Sequence, residues 1–340
     1  MVLPGQGLYY NPDLLTPEGK VMIEGHCTDV VTDLAVDWLR KGRNQEKPFL
    51  LMCQHKAPHR NWMPALRHLH LWADEDLPEP ATLFDDWKDN ASPARWQELE
   101  IVGHMALQFD LFYNLTPAYN GAARRGMFDK SAWRNMSRMT PTQLTAWRDH
   151  YEPRDAALKK ADLKGKDLVG WKYQRYAKNY LRCVRGVDES VGTLMRTLEE
   201  MGIADNTIVV YSSDQGFYIG DHGWFDKRWM YEESLLMPLV IKWPGVTQPG
   251  SVNDEHMVQN LDYAETFLEA AGVEIPNDMQ GHSLIPLLKG QKPKDWRDSI
   301  YYHYYEYPSV HQVPRHNGIR TDRYKLIPVS YTHLTLPTKA

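Results

Sequence analysis

Residues 207–245 read TIVVYSSDQGFYIGDHGWFDKRWMYEESLLMPLVIKWPG, and this stretch decides the fold. It begins with a β-branched apolar run at residues 207–211, which predicts a buried strand. A polar turn follows and ends in Gly216, and a second apolar run at residues 238–243 predicts another core strand. In open α/β sheets, ligands bind in the loops beyond the carboxyl ends of strands. We therefore expect a functional site in the segment between the two strands.

This segment carries side chains suited to a metal and to an anion. Asp214 and Gln215 offer a carboxylate and an amide oxygen, which suit Ca²⁺ or Mg²⁺. His222 and Lys227 can donate to an anionic oxygen, and Lys227 is a point charge for a sulfate or phosphate group. The tripeptide Asp-Gln-Gly alone also fits an ordinary polar loop, so the functional interpretation depends on the longer string.

The string S-S-D-Q-G-x-x-x-G-D-H-G-W-x-D-K-x-x-M-Y-E-E-S-x-x-x-P-L resembles the downstream metal and sulfate site of the sulfatases, in the alkaline-phosphatase-like superfamily. The resemblance implies an α/β fold with a central, mostly parallel sheet between helices and a small C-terminal antiparallel subdomain. It implies that Asp214 and Gln215 bind a single Ca²⁺. It also implies that Lys227 holds the sulfate and assists the leaving oxygen, with His222 near the scissile group.

Composition narrows the function classes. The 340 residues suffice for one large domain or two smaller ones, and 42% hydrophobic with 24% charged residues is typical of a globular enzyme. The net charge of −5 provides no basic field for nucleic acid. No apolar run approaches the ~20 residues that span a bilayer. The 12 Trp and 19 Tyr fit ordinary packing as well as stacking on sugar rings.

A second group of cations follows the apolar run at residues 49–53, which predicts a short buried strand. Lys56 and His59 lie in the next turn, which Pro58 stiffens. The two histidines of this segment, His55 and His59, are too few for a zinc site, so a loop facing an anion is the functional interpretation and a basic surface loop is the alternative.

This turn resembles the middle motif of the sulfatases, in the form found in bacterial enzymes related to N-acetylglucosamine-6-sulfatases. The resemblance implies that His59 contacts the sulfate and that Lys56 is a second candidate. It also implies that Arg60, Asn61 and Trp62 shape the sugar pocket.

Helical periodicity predicts two well-defined helices. Residues 28–40 form an amphipathic pattern that Thr28 or Asp29 can cap, and residues 170–201 form a longer one that ends at Gly202. The second helix precedes the strand at residues 207–211. This α/β alternation favours a mostly parallel sheet.

The remaining segments are less regular. Residues 69–166 are interpreted as an insertion at the rim of the active site, with short helices near residues 95–112 and 140–149. Residues 260–272 predict a helix with a capping box of Asp262 and Glu265. Residues 299–305 and 319–327 predict two strands of the antiparallel subdomain, where His316 and Arg320 are candidate rim contacts for substrate.

The catalytic nucleophile of the family is not found in this sequence. The resemblance implies a formylglycine, made from the first residue of Cys/Ser-x-Pro/Ala-x-Arg, whose hydrate attacks sulfur. The sequences after Cys27, Cys53 and Cys183 do not fit that motif, and no serine supplies it. We therefore expect an N-terminally truncated fragment that is inactive alone.

The expected organisation is a catalytic domain over residues 1–290, an incomplete C-terminal subdomain over residues 291–328 and a tail over residues 329–340. The tail resembles a translated sequencing adapter. The three cysteines form no disulfide framework. The compartment is not readable from the chain, although the resemblance implies a periplasmic or secreted protein.

The sequence thus predicts a fragment of a Ca²⁺-dependent sulfatase whose partner is a sulfated carbohydrate, such as a glycosaminoglycan or N-acetylglucosamine-6-sulfate. Two alternatives stay open. One is a phosphodiesterase or phosphonate hydrolase of the same superfamily, for which His222 and His282 are possible extra metal ligands. The other is a non-catalytic carbohydrate-binding descendant. The sulfatase assignment requires the turns that carry Asp214 and His59 to converge on one oxyanion pocket.

Overall fold

A computed structural model describes residues 7–88, 92–115 and 133–329. The chain divides into two compact units. The first unit comprises Met1–Asp85, Leu99–Ala204 and Ile219–Phe225, and the second comprises Asp86–Glu98, Asp205–Tyr218 and Asp226–Ala340. The predicted domain limits at residues 290 and 328 stay predictions. Parts of the predicted insertion, and the predicted tail beyond Val329, lie outside the described residues.

Three helices and a hairpin organise the first unit. The helices are α1 (Cys27–Asp37), which continues as one π-helical turn to Gly42, α2 (Pro141–Ala161) and α3 (Gly165–Glu200), and the hairpin pairs β1 (Asp13–Thr16) with β2 (Gly19–Met22). Both periodic helices are confirmed, although α1 begins after His26 rather than after Thr28 or Asp29. Inside the unit, the hydroxyl of Thr32 on α1 donates to that of Ser190 on α3 at 2.6 Å.

Helix α3 buries part of the predicted stripe of apolar and aromatic residues and half-buries the rest. Tyr173, Tyr176, Val187 and Leu198 are all buried, as the 3.6-residue period requires for a core-facing helix. Gly202 follows the helix with φ of 68°, the left-handed conformation that ends many helices. Helix α2 also begins as predicted, since Thr140 and Gln143 form a capping box before Pro141.

Two local predictions in the first unit are wrong. Residues 49–53 form no strand, and Leu50 and Met52 are 68% and 67% exposed, because no neighbouring backbone pairs with them among the described residues. Residues 99–112 form turns rather than an α-helix. The buried ammonium of Lys172 explains this second difference, since it binds the carbonyl oxygens of Ile101, Val102 and Met105 at 3.0–3.1 Å.

The second unit contains the strands that follow α3. Strand β3 (Val209–Ser212) pairs with β6 (Leu239–Lys242), and each pairing with a defined register in the described ranges is antiparallel. The predicted parallel pairing is therefore not found among the described residues. Strand β4 (Tyr218–Ile219), strand β5 (Phe225–Asp226) and the four-residue helix α4 (Glu232–Leu235) lie between β3 and β6 in the sequence.

Strands β3 and β6 are half-buried on one face and exposed at Tyr211 and Val240 on the other. Val210 and Ile241 line a small apolar cavity with Tyr263 and Phe267 of helix α5 (Asp262–Ala270) and Leu288 of helix α6 (Ile285–Leu288). Tyr211 and Val240, which point the other way, are exposed. The strands predicted here exist, but the prediction that they are buried is wrong, because no residue of either strand is fully buried and successive side chains face opposite sides.

The C-terminal antiparallel sheet is confirmed. It has the order β7 (Ser299–Tyr304), β8 (His316–Thr321) and β9 (Lys325–Leu326), so the single strand predicted over residues 319–327 is divided by a turn. The predicted capping box of α5 is wrong. Asp262 accepts a bidentate ion pair from Arg297, and Glu265 accepts the backbone N–H of Gly281 at 2.6 Å. Among the described residues, no helix is long and apolar enough to cross a membrane.

Candidate active site

The turn after β3 presents the predicted metal ligands. Asp214 is exposed and Gln215 is half-buried. The hydroxyl of Ser213 donates to the carbonyl oxygen of Gln215 at 2.9 Å, and the side chain of Asn260 donates to that of Asp214 at 2.9 Å. These bonds hold the backbone of the turn. Among the described residues, the carboxylate of Asp214 receives one long hydrogen-bond contact, from the Ser213 hydroxyl at 3.4 Å.

Gly216 fixes the path of this turn. Its backbone N–H donates to the carbonyl oxygen of Ser234 at 2.9 Å. A Cβ atom at this position would lie 2.2 Å from the carbonyl oxygen of Glu233 and 2.7 Å from that of Leu236. A glycine is therefore required by the close approach of two backbone segments.

Lys227 lies in the same unit as this turn. Its ammonium lies 5.8 Å from the ring centroid of Phe217 and 3.8 Å from the carboxylate of Asp226. Asp226 and Arg228, on either side of it, have φ values of 74° and 112°. The left-handed backbone is unusual for such residues and places both side chains in one cluster.

The ion-pair cluster around Asp226, next to Lys227, could not be found from the sequence. The buried carboxylate binds Arg228 at 2.6 Å through one oxygen and His311 Nε2 at 3.0 Å through the other. Burial alone would raise the pKa of Asp226, but the hydrogen bond from His311 and the charges of Arg228, His311 and Lys227 hold that pKa below its usual range. The carboxylate therefore stays ionised beside Lys227.

His311 lies between two acceptors in this arrangement. Its Nδ1 lies 3.0 Å from the carbonyl oxygen of Glu98 and its Nε2 lies 3.0 Å from the carboxylate of Asp226. Both partners are hydrogen-bond acceptors, so His311 bridges the carboxylate of Asp226 and the backbone of Glu98. His311 is 85 residues away from Asp226 in the sequence, and no motif connects them.

In the first unit, one tight turn carries Lys56 and His59. The backbone N–H of His59 donates to the carbonyl oxygen of Lys56 at 2.8 Å, and the His59 Nδ1–H donates to that of Arg60 at 2.7 Å. The hydroxyl of Tyr9 donates to the carbonyl oxygen of His59 at 2.7 Å, and Lys56 Nζ lies 4.7 Å from the Tyr9 ring centroid. Tyr9 thus supports both candidate sulfate contacts.

Three neighbouring predictions are not supported by the packing. Arg60 is bound to Asp110 by two hydrogen bonds of 2.5 and 2.9 Å, Asn61 donates to the carbonyl oxygen of Phe109, and Trp62 is 0% exposed against Tyr176. These side chains pack against residues 109–110 and Tyr176, and the predicted sugar contacts of Arg60, Asn61 and Trp62 stay predictions.

Arg60 also connects the two motifs of the first unit. Its guanidinium lies 5.0 Å from the ring centroid of Phe225, close in sequence to His222. His222 itself has φ of 58° and donates its backbone N–H to the hydroxyl of Thr82 at 2.9 Å. Its Nδ1 lies 3.8 Å from the carboxylate of Asp85. The loop before residue 85 therefore positions His222.

The two candidate rim contacts in the second unit have other roles. His316 is 1% exposed and stacks on Trp229 and Tyr304, and burial lowers its pKa, which keeps it neutral. This position argues against a rim contact. Arg320 lies 3.2–3.3 Å from the carboxylate of Glu232, which also binds Lys325. A substrate anion would have to compete with Glu232 for Arg320.

The donor chemistry of Asp214 and Gln215 fits Ca²⁺, but their number does not complete a site. Ca²⁺ takes 6–8 oxygen ligands. The described residues contain no group of three or more His, Cys, Asp or Glu side chains that could hold a metal. His282 is not available as a further ligand through Nδ1, which accepts a hydrogen bond from Arg297 at 2.8 Å.

None of the cysteines has the environment of a nucleophile. Burial raises the pKa of Cys27 to about 11 and that of Cys183 to about 12, and it also raises the pKa of Cys53. A thiol with such a pKa carries almost no thiolate at neutral pH.

The candidate site residues are divided between the two units. Lys56, His59 and His222 lie in one unit, and Asp214, Gln215 and Lys227 lie in the other. Their convergence stays a prediction.

Comparisons with known proteins identify the family. The Sulfatase family matches residues 3–273, and the family described as N-sulphoglucosamine sulphohydrolase, C-terminal, matches residues 220–335. An N-acetylglucosamine-6-O-sulfatase of Bacteroides thetaiotaomicron is 46% identical over 327 residues, which are 95% of this chain and 57% of that protein. An arylsulfatase of Clostridium perfringens is 27% identical over 280 residues, which are 81% of this chain and 44% of that protein.

A solved structure gives the same result at the level of the fold. The protein in this solved structure is in complex with its substrate D-glucosamine-2-N,6-O-disulfate. It is 45% identical to this chain with a TM-score of 0.90, and the match covers 96% of this chain and 66% of the chain in that structure. The chain spans about half the length of the curated relatives that it matches. It has the α/β, alkaline-phosphatase-like fold of these proteins, and it belongs to the sulfatase family.

Proposed function

We propose that this chain is part of a sulfuric ester hydrolase that acts on sulfated carbohydrate, with N-acetylglucosamine-6-sulfate or a glycosaminoglycan that contains it as substrate. The observation that carries the proposal is the 46% identity to an N-acetylglucosamine-6-O-sulfatase over 95% of this chain. The solved structure with D-glucosamine-2-N,6-O-disulfate supports the same class of substrate.

The proposed roles follow from the charges of the side chains. Lys56, His59 and Lys227 would balance the negative charge of the sulfate, and His222 or Lys227 would assist the departing alcohol. Donors and cations aimed at developing charge commonly supply the largest catalytic effect. Asp226 would act as a positioning residue, because its carboxylate lies 3.8 Å from the ammonium of Lys227.

A Ca²⁺ ion, when bound by Asp214, Gln215 and further ligands, would neutralise part of the sulfate charge. The family generally uses Ca²⁺ together with a formylglycine nucleophile. No Cys/Ser-x-Pro/Ala-x-Arg motif occurs in the 340 residues, and the three thiols are poor nucleophiles. We therefore expect no turnover by this chain alone.

A chimaera tests the proposal. This chain would replace the matching part of the Bacteroides thetaiotaomicron enzyme, whose remaining part would be kept intact. We expect release of sulfate from N-acetylglucosamine-6-sulfate, and we expect Lys227→Ala in the chimaera to lower kcat about 10²–10³-fold. A folded chimaera that hydrolyses a phosphonate ester but not the sulfate ester would contradict the proposal.

The same chimaera distinguishes the proposed sulfatase activity from the non-catalytic alternative. The absence of the nucleophile motif favours that alternative for the isolated chain. If the folded chimaera binds the sulfated sugar but shows no turnover, the chain is a carbohydrate-binding descendant. The control is the unmodified Bacteroides thetaiotaomicron enzyme in the same assay.

A further inference from the structure

The first unit contains a cavity that the proposed active site does not use. Its volume is about 680 Å³, within the range of ligand pockets, and it lies between α2, α3 and residues 73–84. None of the predicted site residues lines it. The side chains that define its chemistry are Phe84, Arg154, Lys166, Trp171, Lys178 and Arg182.

Cations dominate the lining of this cavity. Five Lys or Arg side chains and three carboxylates, those of Asp76, Glu79 and Asp167, line it. Two of the cations are fixed by the fold, since Arg175 binds Asp155 at 3.0 Å and Arg182 binds the carbonyl oxygen of Leu71 at 2.7–2.9 Å. Asp155 offsets the charge of Arg175, whereas Arg182 is held by a neutral carbonyl oxygen and adds positive charge to the lining.

Two further cations are available for a ligand. Arg154 lies 3.7 Å from Asp74 and Lys178 lies 3.3 Å from Asp76, and these carboxylates are 97% and 85% exposed. Pairs with such exposed carboxylates contribute about 0–1 kcal/mol. An anion bound in the cavity can therefore displace either carboxylate at little cost.

His150 lies close to several of these cations and offers a polar contact. It lines the cavity, and its buried Nε2 has no hydrogen-bond partner among the described residues. Burial, followed by the charges of Arg154, Arg182 and Arg175, lowers the pKa of His150 to about 3. The imidazole is therefore neutral at physiological pH and does not add a charge.

Aromatic rings complete the lining. Trp171 lines the cavity and packs edge-on against Tyr113, with 6.2 Å between the ring centroids, which fixes the plane of the indole. The ammonium of Lys166 lies 5.1 Å from the ring centroid of Phe84. A fixed aromatic ring beside cations suits a ligand that has both an apolar face and anionic groups. An acidic sugar ring has this combination.

We propose that this cavity binds an acidic sugar unit, sulfated or carrying a carboxylate, at a second site outside the proposed active site. The choice of a saccharide rests on the proposed function. Residues 76–85 connect the two places, because Asp76 and Phe84 line the cavity while Thr82 and Asp85 contact His222. A chain longer than one sugar is the ligand that would use both.

Calorimetric titration of the full chain with a heparin-derived hexasaccharide tests the proposal. We expect Arg154→Glu with Lys178→Glu to weaken binding about 10-fold or more, since charge-assisted hydrogen bonds are lost. Arg148→Glu with Lys159→Glu is the matched control, because it makes the same change of net charge at exposed positions of α2 that do not line the cavity. Equal affinities of the two double variants would overturn the proposal.

Two further variants identify the ligand and test whether the loss of binding results from misfolding. Arg154→Glu alone, at a partly exposed side chain, should show a smaller loss in a protein with an unchanged melting temperature. Trp171→Ala should weaken hexasaccharide binding but not binding of inorganic sulfate. If inorganic sulfate or polyphosphate binds the cavity as tightly as the hexasaccharide does, the saccharide assignment is wrong.

The two proposals fail separately. Titration of N-acetylglucosamine-6-sulfate should respond to Lys227→Ala and not to the Arg154/Lys178 double variant. A loss of hexasaccharide binding in that double variant supports the second site even if Lys227→Ala has no effect on the monosaccharide. The reverse result would support the active site and refute the second site.

Discussion

Asp226 illustrates how a single residue can organise a candidate site. Its buried carboxylate faces Lys227, Arg228 and His311, and none of these side chains would be held in the same way without it. Buried ion pairs contribute little relative to an apolar replacement, but the loss of one partner leaves uncompensated charge. The positions of the side chains around Lys227 should therefore change when the carboxylate of Asp226 is replaced.

Asp226→Asn should lower the free energy of unfolding at pH 7 by about 3–5 kcal/mol, because Arg228 and His311 would lose their buried counter-charge. Urea denaturation measures this value. Asp205→Asn, an exposed carboxylate of the second unit, is the control and should change stability by less than about 0.5 kcal/mol.

The effect of Asp226→Asn on the free energy of unfolding should also depend on pH. The pKa of Asp226 in the folded chain lies below its unfolded value of about 3.9, so its stabilising contribution is present above that pH. The contribution is lost as the pH falls toward the folded pKa. The stability difference between wild type and Asp226→Asn should therefore be full at pH 7 and shrink below about pH 4. A constant difference down to pH 3 would contradict this assignment.

The cysteines give a second prediction at the residue scale. Cys27 and Cys183 are buried, with pKa values raised by burial to about 11 and about 12, whereas Cys53 is half-buried. At pH 8, a thiol-specific reagent should label Cys53 first, and it should reach the other two only after denaturation. Cys53→Ser identifies the reactive thiol. Rapid native labelling of Cys183 would show that its environment is more open than the structure indicates.

At the scale of elements, the turn after β3 depends on Gly216. A side chain there would collide with the carbonyl oxygens of Glu233 and Leu236, which are backbone atoms that cannot move away cheaply. Gly216→Ala should therefore lower the free energy of unfolding by about 1–3 kcal/mol. It should also weaken binding of N-acetylglucosamine-6-sulfate, because Asp214 and Gln215 would be displaced.

Thermal unfolding and calorimetry of the Gly216→Ala variant measure these two effects. Gly103→Ala is the control, since its added Cβ would meet only the flexible carboxylate of Glu100 at 3.5 Å. Equal stabilities of the two variants would mean that the turn after β3 adapts to a side chain.

Elements with a long regular pattern could be predicted from the sequence, and short ones could not. Helix α3 presents a repeated apolar face over 36 residues, so packing and periodicity agree. Residues 49–53 have a strand-like composition, but a strand exists only when another backbone binds it. Residues 99–112 are apolar enough for a helix, yet the ammonium of Lys172 binds their carbonyl oxygens instead.

At the scale of the whole molecule, the candidate residues are divided between two compact units. Lys56, His59 and His222 belong to one, and Asp214, Gln215 and Lys227 belong to the other. The proposed mechanism requires both sets to contact one sulfate group. This requirement can be tested without further structural information, because side chains that share a ligand show coupled binding energies.

A double-mutant cycle of His59→Ala and Lys227→Ala should give a coupling energy of about 0.5–3 kcal/mol for N-acetylglucosamine-6-sulfate binding. Isothermal titration of this chain and the three variants measures it. The pair His59→Ala and Arg323→Ala, with an exposed arginine of the second unit, should be additive. Additivity of the first pair as well would place His59 and Lys227 at different sites.

The sequence by itself determined the family, the α/β class, the long helices and the candidate metal and sulfate residues, because these depend on local strings and on regular periodicity. Only the tertiary structure decided that Arg60, Asn61, Trp62 and His316 pack inside the protein, since burial depends on neighbours that are distant in the chain. The tertiary structure also brought His311 to Asp226 and built the cationic cavity on α3. No local pattern encodes such contacts, because each partner is an ordinary polar residue until folding removes water from around it.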